Sequence, residues 1–348
     1  MLNKYSENIF FAYSVFKWNN NAKNVAGVSV VIIGVRKRDN SMKKLYNEVE
    51  CKQLSYIPPT LSDSVDNMVK KATKSISKLP YMRRGNMPND KEFLRLSPLE
   101  KKDILEHYPN AVKFIRLQIG ADELINQVER YCYWISDEDL EEAEKIMPIK
   151  NAIDKCREYR INSKDKTLHV QAEKAHQMRE FFECNEMSLV IPIVSSESRE
   201  YIPMNFVPDK TIVPNSAQVI YDANLFVFGL LTSKMHILWT KHNAGRLDNR
   251  IRYSIFLCYN TFPFPSISDT KKSEIEEAAT NVLLARENYP EKTLADLYDP
   301  EKMPEDLRAA HKELDAIVES CYPGAPFPND EARLESLFKL YEKMTANK

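Results

Sequence analysis

The stretch Leu189-Val190-Ile191-Pro192-Ile193-Val194-Ser195-Ser196-Glu197-Ser198-Arg199-Glu200-Tyr201-Ile202-Pro203 opens a run, extending to Pro265, in which short apolar blocks alternate with dense polar clusters. Later blocks are Phe228-Gly229-Leu230-Leu231-Thr232-Ser233-Lys234-Met235-His236, Gly245-Arg246-Leu247-Asp248-Asn249-Arg250-Ile251-Arg252-Tyr253-Ser254 and Tyr259-Asn260-Thr261-Phe262-Pro263-Phe264-Pro265. Apolar blocks this short, bounded by proline and polar turns, are spaced for a mixture of strands and helices in one domain. Arg250 and Arg252 stand two apart in a strand-like segment, so both leave one face while Ile251 and Tyr253 turn inward. Leu225 to Trp239 is apolar nearly all round and reads as one buried helix.

Outward from this run, the mixed pattern reaches back to residue 45, with prolines as punctuation. Ser97-Pro98-Leu99-Glu100 has the serine, first-turn proline and returning glutamate of a helix start. Helices are expected over Glu138 to Lys145 and Ile149 to Arg160. Before residue 45, the Val/Ile run from Val28 to Val35 suits a strand buried on both faces. After Pro265 the character becomes helical. Ile275, Ala278, Ala279, Val282 and Leu283 share a face, as do Leu307, Ala310, His311, Leu314, Ile317 and Val318, and again Leu334, Leu337, Phe338 and Tyr341. Pro304 marks one helix start and Asp330 is a fitting N-cap for the last. The fold class is therefore α+β: a mixed α/β domain over 45–266 followed by a small all-helical domain over 267–348, with 1–44 as a separate block.

The 348 residues carry a formal net charge of −1, which on its face speaks against a polyanionic partner. The distribution changes that reading. Residues 269–348 hold eleven basic and eighteen acidic side chains, leaving +6 on the rest. Residues 70–95 have eight basic against two acidic, and residues 234–252 five against one. The six cysteines are scattered without a Cys-x-x-Cys pair and read as reduced thiols; the six histidines show no metal spacing, so no metal is expected. His236 and His311 fall on apolar helical faces and read as hydrogen-bonded core residues. No apolar stretch is long enough to span a bilayer, and no secretory signal precedes residue 20, so a cytoplasmic location is expected.

The blocks quoted above resemble the target-recognition region of MmeI-like type II restriction-modification enzymes. Gly85-Asn86-Met87-Pro88-Asn89-Asp90, Phe114-Ile115-Arg116 and Arg130-Tyr131-Cys132-Tyr133-Trp134-Ile135 carry the same likeness. So do Leu294-Ala295-Asp296-Leu297-Tyr298-Asp299-Pro300, Met303-Pro304, Leu307-Arg308, Ala310-His311 and Leu314-Asp315, and, at the start, Phe16-Lys17-Trp18-Asn19-Asn20-Asn21-Ala22-Lys23. The resemblance spans nearly the whole chain. It implies that residues 1–44 are the tail of a methyltransferase domain, ending in strands of a parallel sheet, that residues 45–266 recognise double-stranded DNA, and that 267–348 brace them.

By the same resemblance, the positions of Ile193, Asn215, Ser216, Asp248, Arg250 and Arg252 choose bases. A guanidinium can bond guanine O6 and N7 together, and a carboxylate can accept from the cytosine amine. Ile193 has only apolar contact to offer. Ser195, Ser196, Arg199, Lys234 and Arg246 suit the DNA backbone, although serines in such clusters also cap turns. Phe16 is a candidate for stacking on an extruded adenine.

The parent enzyme would use S-adenosylmethionine, and magnesium if a nuclease is attached, with the remaining methyltransferase or nuclease portion in cis or as a separate subunit. This chain shows no catalytic residues of its own: the only Pro-Pro, Pro58-Pro59, lacks the flanks of an Asn/Asp-Pro-Pro-Tyr motif, and its seven glycines form no cofactor loop. Asp90 with Glu100-x-Lys102 matches a nuclease spacing, but on a helix start rather than a strand. The competing reading is a scaffold or protein-interaction module without DNA binding.

Overall fold

The computed structural model describes residues 7–18, 28–37, 39–47, 50–57, 61, 69–184, 186–221, 223–247 and 250–346. The chain forms two compact units, Met1–Lys70 and Lys71–Lys348.

In the first unit, strands β1 (Glu7–Trp18), β2 (Val28–Lys37), β3 (Lys43–Tyr46) and β4 (Cys51–Leu54) make one sheet in the order β2-β1-β3-β4. Ile9, Ala12, Leu45 and Ile57 form its core. The expectation for the Val/Ile run is corrected here. β2 is an edge strand running antiparallel to β1, and Val31, Ile32, Ile33 and Val35 are 42–45% exposed. Among the described strands of this sheet only β1 and β3 run parallel. β-branched residues specify extended chain; whether a second layer covers them is decided elsewhere.

The second unit runs through β5 (Met82–Arg84), β6 (Arg95–Leu96), α1 (Pro98–His107), β7 (Ile115–Leu117), α2 (Ala121–Asn126), β8 (Tyr131–Tyr133), α3 (Leu140–Ala143), α4 (Met147–Ile161), α5 (Lys166–Gln171), β9 (Ser188–Pro192), β10 (Val194–Ser196), β11 (Asn205–Val207) and β12 (Ala217–Ile220). It continues with α6 (Leu225–Thr232), α7 (Lys234–Asn243), β13 (Gly245–Leu247), β14 (Arg250–Arg252), α8 (Asp269–Glu287), α9 (Leu294–Leu297), α10 (Glu305–Glu319) and α11 (Asp330–Thr345). Three sheets result, ordered β11-β9-β12-β5, β6-β8-β7 and β10-β14-β13. β9 is buried throughout, as Leu189, Val190 and Ile191 require, and pairs antiparallel with β11 and β12. Beyond Pro265 the only regular elements among the described residues are helices, so the α+β class with a helical C-terminal region holds.

Local chemistry explains the boundaries. Ser97 and Glu100 close the capping box of α1. The expected helix over Leu225 to Trp239 is two helices, because Ser233 takes an extended conformation and its Oγ accepts from His236 N at the start of α7. The acidic segment at 138–145 contains only the short α3. Asn329, not Asp330, caps α11, by accepting from Ala332 N.

The helices after Pro265 pack on the rest of the second unit. α10 and α6 pack on α8, and α11 packs on α7. Trp239 sits against the rings of Phe338 and Tyr341 and donates Nε1 to Thr261 Oγ1 at 3.1 Å. His236 and His311 are fully buried, bonded through Nε2 to Tyr253 Oη and Tyr298 Oη, each at 2.8 Å. Burial pushes the His236 imidazole down to about 3, keeping it neutral. The His236–Tyr253 bond ties α7 to the residue that follows β14.

Candidate nucleic-acid interface

The site grows from the sheet of β10, β14 and β13. β10 and β14 pair antiparallel, with Val194 opposite Arg252, Ser195 opposite Ile251 and Ser196 opposite Arg250. Directly paired residues share a face. Arg250 and Arg252 are exposed while Ile251 is 1% exposed, so Val194, Ser196, Arg250 and Arg252 make the outer face. Of Arg246 the structure describes the backbone, paired opposite Ile251. Asp248 lies outside the described residues.

Ile193 joins this sheet to the next. Its carbonyl accepts from Tyr253 N at 2.8 Å, and its own N–H reaches the Ser216 carbonyl at 3.4 Å. Ile193 and the Asn215–Ser216 turn thus stand at the same end of the β9–β12 pair, beside Arg252. The turn is held by the Gly85-Asn86-Met87 segment. Asn215 N donates to the Asn86 carbonyl at 2.8 Å, and Asn215 Nδ2 lies 2.8 Å from Met87 Sδ. The buried Asn86 side chain donates to the Phe182 and Val213 carbonyls and accepts from Phe182 N. A Cβ at Gly85 would stand 2.3 Å from the Pro214 carbonyl oxygen and 2.5 Å from that of Val213. Only glycine permits that approach, which gives the Gly85-Asn86 motif a physical job that its sequence alone did not disclose.

Beside the turn lies a cleft of about 590 Å³, lined among others by Ile193, Arg252, Arg83, Arg84, Lys71 and Arg179. The Arg83 guanidinium rests 3.3 Å from the centre of the Phe182 ring, and Arg84 Nε donates to the Asn215 carbonyl at 3.1 Å. Sequence reasoning registered these arginines only as charge within residues 70–95. Spacing gave no reason to single them out.

Other candidates fall elsewhere. Ser195 is 4% exposed on the Ile251 side, and its Oγ has no hydrogen-bond partner, so its assignment to the DNA backbone is withdrawn. Ser196 Oγ bonds Ser198 Oγ at 2.8 Å, a turn contact that leaves the residue half-buried. Arg199 is half-buried, and its carbonyl accepts from Lys241 Nζ at 3.2 Å. Lys234 lies in a different cleft, of about 520 Å³, with Glu200, Asp315, Glu319, Asp330 and Arg333. Its ammonium meets Asp330 at 3.1 Å and its backbone N–H donates to Asp315 Oδ1 at 2.6 Å. Asp315 also accepts from Tyr201 Oη at 2.7 Å, and burial pushes its carboxyl up to about 6. A cation held among carboxylates is poorly placed for phosphate, and Lys234 is withdrawn as well. Phe16 is a half-buried residue of β1 in the first unit, paired with Val30.

The nuclease-like spacing dissolves. Asp90 accepts from Glu92 N and Leu94 N, whereas Glu100 caps α1. Among the described residues no three His, Cys, Asp or Glu side chains gather to hold a metal ion, and no helix is long and apolar enough to cross a membrane.

Family models match three segments: the MmeI target recognition domain at residues 63–266, the MmeI C-terminal domain at 267–347 and the MmeI DNA-methyltransferase domain at 1–47. DNA methyltransferase A of Bacillus subtilis (strain 168) is 43% identical over 343 residues, covering 98% of this chain and 39% of that protein. The solved structure of the type IIL restriction-modification enzyme MmeI in complex with DNA superposes with a TM-score of 0.93 at 37% identity, over 99% of this chain and 47% of that one. The chain therefore spans less than half the length of either relative.

Proposed function

The chain belongs to the MmeI family, and from that premise we propose that it is the sequence-reading portion of an adenine-specific DNA methyltransferase of a restriction-modification system, working on double-stranded DNA in the cytoplasm. In this reading residues 1–44 are the tail of the methyltransferase domain, 45–266 read DNA and 267–348 brace the reader. Ile193, Asn215, Ser216, Arg250 and Arg252, with Asp248, face base edges; Ser196, Arg199 and Arg246 serve the backbone; Phe16 is the candidate for stacking on an extruded adenine.

The observation that carries the reading is contiguity. Ile193, the Asn215–Ser216 turn and the outer face of β14 are linked by the Tyr253–Ile193 and Ile193–Ser216 backbone bonds, and Ile193 and Arg252 line one cationic cleft. That MmeI was solved in complex with DNA adds weight.

In this reading the methyl-donor pocket belongs to the parent enzyme rather than to these residues. The seven glycines stand apart, and the one Pro-Pro lacks a following tyrosine. S-adenosylmethionine, and magnesium for any nuclease, are assigned to the parent enzyme, whose remaining portion acts in cis or as a partner subunit.

A salt series on duplex binding tests the proposal. Affinity for duplex DNA should fall linearly in log–log form as salt rises, because phosphate contacts release counterions. Salt-independent affinity, or none, contradicts it.

A further inference from the structure

We propose that the cleft beside the Asn215–Ser216 turn is a binding site for the DNA sugar-phosphate backbone, with Lys71, Arg83 and Arg84 as its phosphate contacts. The inference rests on the DNA-reading proposal and adds residues that the family likeness did not single out.

Charge balance is the first observation. Half-buried Arg95, Arg130 and Arg333 have carboxylate partners, Glu92, Glu123 and Glu319, whereas buried Arg160 and Arg286 donate to backbone carbonyls and to Tyr298 Oη. In the cleft, Arg179 is neutralised by Glu180. Lys71, Arg83, Arg84 and Arg252 have no carboxylate partner among the described residues. Four like charges gathered around one concavity repel one another, and an anion relieves that cost.

The second observation is order. Both arginines sit on β5, the edge strand of their sheet, which pairs with β12. The Arg83 guanidinium carbon sits over the Phe182 ring, and its buried Nε has no hydrogen-bond partner among the described residues. The cation–π contact holds the guanidinium in place before any ligand arrives, so less entropy is lost on binding. Arg84 is fixed through Nε, and its remaining N–H groups are uncommitted among the described residues. Planar guanidinium forks so held suit phosphate oxygens in paired contacts.

The third observation names the ligand. The same cleft is lined by Ile193 and Arg252, proposed to meet base edges, and the Arg84 bond fastens the Asn215 carbonyl. A phosphate bound there belongs to the strand whose bases are being read, which is how backbone contacts set register. Arg84 then works twice, as a phosphate contact and as a strut that positions the turn.

The test uses the full chain and a pool of short duplexes with a randomised centre. Arg83→Gln, Arg84→Gln and Lys71→Gln should each lower the salt slope of log affinity by about 0.9, weakening all sequences alike for Arg83 and Lys71. Arg84→Lys should keep the slope but loosen preference at the base pair beside the turn, since a lysine lacks the fixed Nε–H. Lys71 is exposed and has no ion-pair partner among the described residues, so its variant reports on charge even if an arginine variant melts early. Unchanged slopes in folded variants, with wild-type binding still salt-dependent, overturn this inference and leave the DNA-reading proposal standing. Loss at a single base pair from Arg83→Gln overturns it too. Absence of salt-dependent binding by the wild type overturns both.

Discussion

Arg252 and Lys234 are near neighbours in sequence and both cations, yet their surroundings are opposite. Arg252 stands exposed on β14 with no ion-pair partner among the described residues, in a cleft shared with Arg83 and Arg84. Lys234 begins α7 with its ammonium on Asp330 and its backbone N–H on Asp315, in a cleft where acidic side chains abound. The first region holds charge in reserve; the second uses charge to fasten helices together. Counting basic residues along a sequence cannot separate the two, because the distinguishing feature is the partner.

The comparison breaks most visibly at Arg286, the buried centre of the bracing region. It donates to Tyr298 Oη and the Met204 carbonyl, and Tyr298 Oη also meets His311. Arg286→Met should cost roughly 4 kcal/mol in urea unfolding, from orphaned buried acceptors and imperfect repacking. The base preference of the protein that remains folded should not change. A loss below 1 kcal/mol, roughly what a surface pair is worth, would deny the region its bracing role.

Asp315 gives a pH signature next in size. Burial raises its carboxyl from 3.8 to about 6. The folded state therefore favours the protonated form; the contribution to stability is full below 3.8 and is lost as pH rises through 6. Asp315→Asn removes this dependence, so its stability relative to wild type should rise by about 3 kcal/mol between acid and neutral pH. Buried His236 and His311 act in the opposite sense but equally in both proteins, and cancel in the difference. A difference that stays flat with pH contradicts the assignment.

Smallest is Lys234→Ala. A half-exposed ion pair is worth at most about 1 kcal/mol, and the salt slope of DNA binding should be untouched. A lower slope would return Lys234 to the DNA-contacting set and blur the contrast between the two clefts.

Much of the fold was legible because local chemistry decides it. The Ser97–Glu100 box, the alternation at Arg250-Ile251-Arg252 and the amphipathic helices after Pro265 all follow from residue type and spacing. Apolar composition misled twice. It hid the break at Ser233, where a small hydroxyl side chain starts a new helix inside a continuous apolar run. It also implied burial for Val31 to Val35, which lie on an edge strand. At the candidate site, the strand arginines were readable, but Ser195 was not separable from Ser196 until register put one on each face. Arg83 and Arg84 escaped notice because their meaning comes from Phe182 and Asn215, each about a hundred residues or more away in the chain.

The account turns on the outer face of β14 meeting base edges, and selection of bound sequences from a randomised duplex pool tests that most directly. Arg252→Ala should fold as stably as wild type and relax preference at one base pair, by about 1–3 kcal/mol in discrimination, with the other positions kept. Equal weakening at every position, or an unchanged preference, would contradict it.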